Sequence, residues 1–307
     1  IDLTREIIEE AGMSIDEDGF TALMNEQKEK ARKARGDMED AAWEEDIFSS
    51  LKTETVFDGY ENESVDAEII ALASNGELKD SIGVGDSVTV VLDRTAFYAE
   101  SGGQVGDSGV ILNDGCEILI TDTKKLNGRF LHFGTVKKGS VKVGDKVTAK
   151  IDSVRRAAIK RNHSAAHLLQ AALKKVLGNH IAQAGSYVSE DRVRFDFSHF
   201  TAMTAEELAQ VERDVNEHIL AAMPVETMVK SIDEAKKMGA TALFGEKYGE
   251  TVRVVKMGDY SMEFCGGTHV SNTGNIGLLK ITSESGVAAG VRRIEGVTGF
   301  GVLLRRC

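Results

Sequence analysis

Proline is nearly absent from this sequence: one residue, Pro224, stands against 31 glycines in 307 positions. Turns must then be made mainly by glycine, which takes positive φ without a steric penalty, and that suits many short strands. Cysteine is scarce as well. Cys116, Cys265 and Cys307 are too few and too scattered for a disulfide framework, and an odd count fits a reducing compartment where thiols stay free for chemistry or metal binding. No apolar run approaches the roughly 18 residues that span a bilayer, and Ile1-Asp2-Leu3-Thr4-Arg5 is no signal-peptide core, so the expectation is a soluble, cytoplasmic protein with no membrane partner. Aromatic residues make up only 6%, yet the 42% hydrophobic and 28% charged content is an ordinary globular balance and excludes a disordered chain. The Gly-x-x-x-x-Gly-Lys loop of many nucleotide sites is also missing.

Positive charge is in short supply overall, with a formal net charge of −12, which by itself discourages contact with nucleic acid. Its distribution reverses that impression. Residues 1–80 carry 23 acidic and 8 basic side chains, whereas residues 124–175 carry 14 basic and 2 acidic ones. Such a segment can meet phosphates while the whole chain stays acidic, and it can equally be a solvated surface. Arg155, Arg156 and Arg161 are its candidates for substrate contact.

What is present sorts into three regions, at 1–52, 53–151 and 152–307. In the first, Leu3, Ile7, Ile8 and Ala11 predict a short amphipathic helix that Gly12 ends, and a second, mostly polar helix runs from Phe20 to about Trp43. From Thr53 the pattern turns to short β-like runs: 55–57, 67–72, 87–92, 117–120 and 146–151. That density predicts a small barrel. Val84-Gly85-Asp86-Ser87-Val88-Thr89 is echoed by Val143-Gly144-Asp145-Lys146-Val147-Thr148, each placing a Gly-Asp turn before a strand. The third region mixes a helix over 155–177, a helix from Thr204 to about Met223 headed by a capping box, and strands at 193–197, 225–229, 252–255 and 277–281. The fold class is therefore α+β: N-terminal helices, a β-barrel, and an α+β part with antiparallel sheet and helices.

Two sequence clusters carry chemistry. His163-x-x-x-His167 puts two imidazoles on one face of a helix, since positions i and i+4 lie one above the other. Cys265-Gly266-Gly267-Thr268-His269 sits in a turn whose glycines let sulfur and imidazole converge. Together they form a His3Cys set suited to zinc, a metal that needs no redox chemistry.

Three segments resemble signature motifs of alanyl-tRNA synthetase: Arg161-Asn162-His163-Ser164-Ala165-Ala166-His167-Leu168-Leu169, Phe264-Cys265-Gly266-Gly267-Thr268-His269 and Phe97-Tyr98-Ala99-Glu100-Ser101-Gly102-Gly103-Gln104. The resemblance implies that 1–52 is the end of the tRNA-recognition helices, 53–151 a barrel-like editing subdomain and 152–307 a zinc-binding editing subdomain. It implies an internal fragment that hydrolyses the ester of Ser-tRNA or Gly-tRNA specific for alanine, with one zinc ion per chain; ATP-dependent ligation of alanine belongs to the full-length enzyme. The metal there can polarise the carbonyl, activate water or orient the terminal adenosine. By the same resemblance Cys265 and Gln183 are catalytic residues, and Arg293 lies near a substrate phosphate. Gly102 and Gly103 bring backbone amides to the substrate or form a strand-joining turn. Two other readings use the same residues: a freestanding trans-editing deacylase, and a zinc-stabilised tRNA-binding module without catalysis.

Overall fold

The computed structural model describes residues 19, 47–49, 51, 53–241 and 249–304. The chain divides into Ile1–Lys52 and Thr53–Cys307, and the fold that follows is that of the second unit. The helices expected at 3–12 and 20–43 lie outside the described residues.

Six strands close a barrel: β1 (Ser64–Ser74), β2 (Ser87–Leu92), β3 (Gly109–Leu112), β4 (Glu117–Leu126), β5 (Arg129–Lys138) and β6 (Lys146–Ile151). They pair antiparallel in the order β6-β3-β4-β5-β2-β1, and β6 returns onto β1 with Val147 opposite Ala67. Strict alternation explains β6: Val147, Ala149 and Ile151 are buried, and Lys146 and Lys150 are exposed. The inward side chains, among them Ile69, Val90, Ile111, Ile118 and Ile120, form one apolar core. Both echoed turns use a glycine at positive φ, 92° at Gly85 and 87° at Gly144. The echo is also spatial, because the short strands before those turns, Ser81–Gly83 and Ser140–Lys142, pair with each other and set buried Ile82 opposite buried Val141.

The chain leaves β6 directly into α1 (Ser153–Leu177), whose first free amides at Val154 and Arg155 are capped by the Asp152 carboxylate. Then follow β7 (Gln183–Val188), β8 (Val193–Ser198), α2 (Ala205–Leu220), β9 (Val225–Ser231), α3 (Ile232–Lys237), β10 (Thr251–Met257), β11 (Ser261–Phe264), β12 (Leu279–Ala288), β13 (Val291–Thr298) and α4 (Phe300–Leu304). The capping box expected at α2 is formed by Thr204 and Glu207. One four-stranded antiparallel sheet runs β7-β8-β13-β12 and one three-stranded sheet β9-β10-β11. Leu168, Leu169 and Leu173 of α1, Val211 and Val215 of α2, and Phe195 and Ile294 of the larger sheet share a second core. The α+β class expected from the sequence is the class observed.

Candidate metal centre

The buried stripe of α1 is not purely apolar. His163 and His167, 5% and 6% exposed, stack one turn apart with ring centroids 5.5 Å from each other. Opposite them, the loop that follows β11 supplies Cys265 and His269. Gly267 is needed in that loop, because a Cβ there would stand 2.1 Å from His163 Cε1. One ligand atom from each of the four residues lies within 4.8 Å of all the others. Cys265 Sγ is 3.4 Å from His163 Nε2 and 3.2 Å from His269 Nε2.

Each imidazole is anchored through its other nitrogen. His163 Nδ1 donates to Gln104 Oε1 at 2.7 Å, His167 Nδ1 to Glu263 Oε2 at 2.7 Å, and His269 Nδ1 is 3.3 Å from Ser164 Oγ. Gln104 is itself fixed: its Oε1 accepts from the Thr268 amide at 2.9 Å and its Nε2 donates to Thr268 Oγ1 at 3.0 Å. These bonds turn the three Nε2 atoms toward one another and toward the sulfur, the arrangement that outer partners impose on metal-binding histidines. His167 Nε2 is buried with no hydrogen-bond partner, a costly state for a polar atom unless something fills the gap.

Electrostatics point the same way. Burial raises the Cys265 pKa, but the surrounding imidazoles outweigh burial and hold the thiol well below its usual range. Burial depresses His167, yet Glu263 and Cys265 together raise it to about 10. His269 is pushed down to about 3, chiefly by burial. The centre thus favours a thiolate and draws positive charge to the spot between its nitrogens. Three anchored imidazoles and one thiolate fit tetrahedral zinc.

A cavity of about 290 Å³ opens over the cluster, lined among others by Tyr98, Gly102, Gln183, Phe195, Arg253 and Cys265. Arg253 clamps the metal loop, donating to the carbonyls of Cys265 at 3.0 Å and Gly267 at 2.8 Å. Tyr60, from the barrel half, lies under that guanidinium at 4.2 Å and donates to the Gly266 carbonyl at 2.6 Å.

Comparison with known proteins decides the lineage. The family described as tRNA synthetases class II (A) matches residues 1–155, and the second additional domain of threonyl and alanyl tRNA synthetases matches residues 252–295. The alanine–tRNA ligase of Acetivibrio thermocellus is 53% identical over 99% of this chain and 35% of its own length. Those of Clostridioides difficile and Bacillus subtilis are each 50% identical over 98% of this chain. The chain belongs to the alanyl-tRNA synthetase family. It spans about a third of the length of the relatives it matches.

Within that family frame, the residues singled out from the sequence separate. The structure brings His163, His167, Cys265 and His269 together, and Gln183 and Gly102 line the cavity above them. Gly103 sits beside it at φ 81°, where a Cβ would strike the Ser186 carbonyl at 2.5 Å, so a side chain is excluded. Arg293 does not line the cavity; it forms a bidentate pair with Asp196 at 2.7 and 2.8 Å. Arg155 is engaged by Glu190 and the Gly106 carbonyl. The expectation that Arg156 contacts substrate is corrected. It is 1% exposed, forms a buried ion pair with Asp107 and donates to the carbonyls of Gly59 and Ala96, so it fastens α1 to the barrel and cannot reach a phosphate. Arg161 borders a second cavity, next to His269. Sequence reasoning missed the roles of Gln104, Glu263, Ser164, Tyr60 and Arg253. Gln104 and Ser164 stood inside recognised motifs, but Glu263, Tyr60 and Arg253 carry no local pattern, since what they hold in place is set by the fold.

Among the described residues no helix is long and apolar enough to cross a membrane.

Proposed function

We propose that this chain is the editing part of a cytoplasmic alanine–tRNA ligase, hydrolysing the ester of alanine-specific tRNA mischarged with serine or glycine. The observation that carries the reading is the cavity opening onto four convergent ligand side chains, with Gln183 and the bare backbone of Gly102 on its wall. In the reaction water adds to the ester carbonyl, the carbonyl–oxygen bond to the ribose breaks, and free serine or glycine leaves with the tRNA hydroxyl restored. Zinc bound by His163, His167, Cys265 and His269 supplies either Lewis acidity or a fixed point for the terminal adenosine.

The chain's own residues do the rest. Gln104 and Glu263 hold the ligand imidazoles in one tautomer, leaving Nε2 free to ligate. Arg253 and Tyr60 fix the loop that bears Cys265. Gln183 reaches the ester from the cavity wall. Between serine and alanine, a pocket that hydrogen-bonds the serine hydroxyl discriminates because its polar groups would be left unpaired by alanine, whereas a methyl-sized difference in shape discriminates weakly. Glycine, which has no hydroxyl either, must be admitted by another feature of the pocket. The partner is tRNA, and ATP is needed only by the full-length ligase.

A deacylation time course with Ser-tRNA and Ala-tRNA side by side tests the reading. Serine release is expected with Ala-tRNA persisting, and Cys265→Ala should abolish release while tRNA still binds. Equal hydrolysis of both substrates, or release indifferent to Cys265→Ala, would sink it.

A further inference from the structure

The loop that carries the ligands has two sides. Cys265, Gly266 and Gly267 face the cavity described above, whereas Thr268 and His269 line a second one of about 450 Å³ on the other side, and Arg253 borders both. The second cavity is unlike the first in charge. Lys160, Arg161 and Arg253 contribute three cations to its wall, against one carboxylate, the exposed Glu61. Lys160 and Arg161 are half-buried on α1, and neither forms an ion pair among the described residues. Arg161 Nε is buried without a hydrogen-bond partner and packs against Gly299, where a Cβ would meet it at 3.0 Å. Burial, with help from the Arg156 guanidinium, lowers the Lys160 pKa against the pull of Glu63, Asp107 and Glu61. Two half-buried cations that form no ion pair among the described residues, with one exposed carboxylate on the same wall, cost stability unless an anion completes them. The neighbouring side chains Thr227, Ser271 and Asn275 add neutral polar groups.

We infer that this second cavity holds a backbone phosphodiester of the RNA strand whose 3′-terminal nucleotide occupies the first cavity, with Lys160 and Arg161 as its ligands. The inference rests on the editing reading for the occupant of the first cavity. Its physical content is separate: a concave, cation-lined wall concentrates field on an anion, and the shared Arg253 makes the two cavities neighbours along one strand. A chain ending in the ester cavity must carry its negative backbone past the metal loop, and the cations stand on that side.

The test uses the full chain and ligands that carry no ester. Calorimetric binding of the unacylated trinucleotide CpCpA is compared with that of adenosine. Lys160→Gln should weaken CpCpA by about tenfold, and Arg161→Gln likewise, with adenosine unaffected. Replacing the last phosphodiester by a neutral methylphosphonate should cost the native chain a similar factor and cost the Lys160→Gln/Arg161→Gln variant nothing. This arm keeps the test intact if one variant folds poorly. The inference is overturned if the native chain does not bind CpCpA, if it tolerates the methylphosphonate, or if the variants weaken adenosine equally. Inorganic phosphate titrated alone is the remaining arm: binding as tight as that of CpCpA and equally dependent on Lys160 would make the cavity a free-anion site and overturn the RNA assignment. Loss of serine release with these binding results intact would overturn the editing reading alone.

Discussion

Single residues here do one of two jobs that look alike in sequence. Arg156 and Arg161 sit on the same helix in the same basic run, yet one is buried at 1% exposure on Asp107 and the other borders a cation-lined cavity. The difference lies in what faces each: Asp107 also accepts the Tyr98 amide at 2.7 Å, so its carboxylate is part of the barrel's own bonding, and Arg156 completes it. Removing one member of such a pair leaves the other charged and dry. Arg156→Met should therefore cost about 3–5 kcal/mol of stability, and adding Asp107→Asn should recover part of that loss. Denaturant unfolding of the two single variants and the double variant measures the coupling. A loss below about 1 kcal/mol for Arg156→Met would mean that the ion pair does not fasten the helix to the barrel.

Elements differ in how openly they announce themselves. Strands β2 and β6 match their expected ranges of 87–92 and 146–151: β6 alternates without a break, and β2 is a β-branched run buried from Val88 to Leu92. The β4 strand was expected to end at Ile120 but runs on to Leu126, since a register shift between Ile120 and Asp122 swaps which residues face inward and breaks the period. The β13 strand, Val-Arg-Arg-Ile-Glu-Gly-Val-Thr, is masked by its charges, because Arg292 is partnered by Glu284 on the adjacent β12 and Arg293 by Asp196 on β8. The four candidate ligands were legible for the opposite reason: each pair is local, and rare residue types at a fixed gap carry the signal. Their anchors were not, because Gln104 and Glu263 reach them only through the fold.

The barrel strand β5 also places an imidazole where no sequence rule would look for one. His132 is fully buried; its Nδ1 donates to the Val90 carbonyl at 2.9 Å and its Nε2 accepts from Thr95 Oγ1 at 2.8 Å. Burial lowers its pKa to about 4 despite the Val90 bond. A folded pKa below the unfolded one means that the unfolded chain binds the proton first. This contribution to stability is complete above about pH 6.5 and is lost as the pH falls toward 4, by up to roughly 1.4 kcal/mol per pH unit. Urea midpoints from pH 7 to pH 4.5 should fall more steeply for the native chain than for His132→Gln, whose other titrating groups are the same. Parallel curves would show that His132 titrates alike in both states.

Across Thr53–Cys307, the barrel core and the α1 core share one unit with a smaller apolar cluster around Val254 and Phe264, and Cys265 packs against the α1 core. All four candidate ligands come from α1 and the loop after β11, whereas the barrel core is apolar and closed on itself. The barrel side reaches the centre through outer contacts: Gln104 on His163 and Thr268, and Tyr60 on the Gly266 carbonyl and the Arg253 guanidinium. Because ligand binding energy is folding energy for the segments that supply the ligands, removing the ion should loosen those segments and spare the rest. Without it, one buried nitrogen at His167 has no partner, and the thiolate of Cys265 is left to the imidazoles and the Gly267 amide. Hydrogen exchange after chelation should therefore show lost protection at residues 163–169 and 261–270, with the amides of β2 and β6 unchanged, and zinc added back should restore it. Uniform loosening of both halves would mean that the centre braces the barrel as well. Unchanged exchange everywhere, together with no zinc retained by the untreated chain, would mean that the four side chains hold their geometry without a metal.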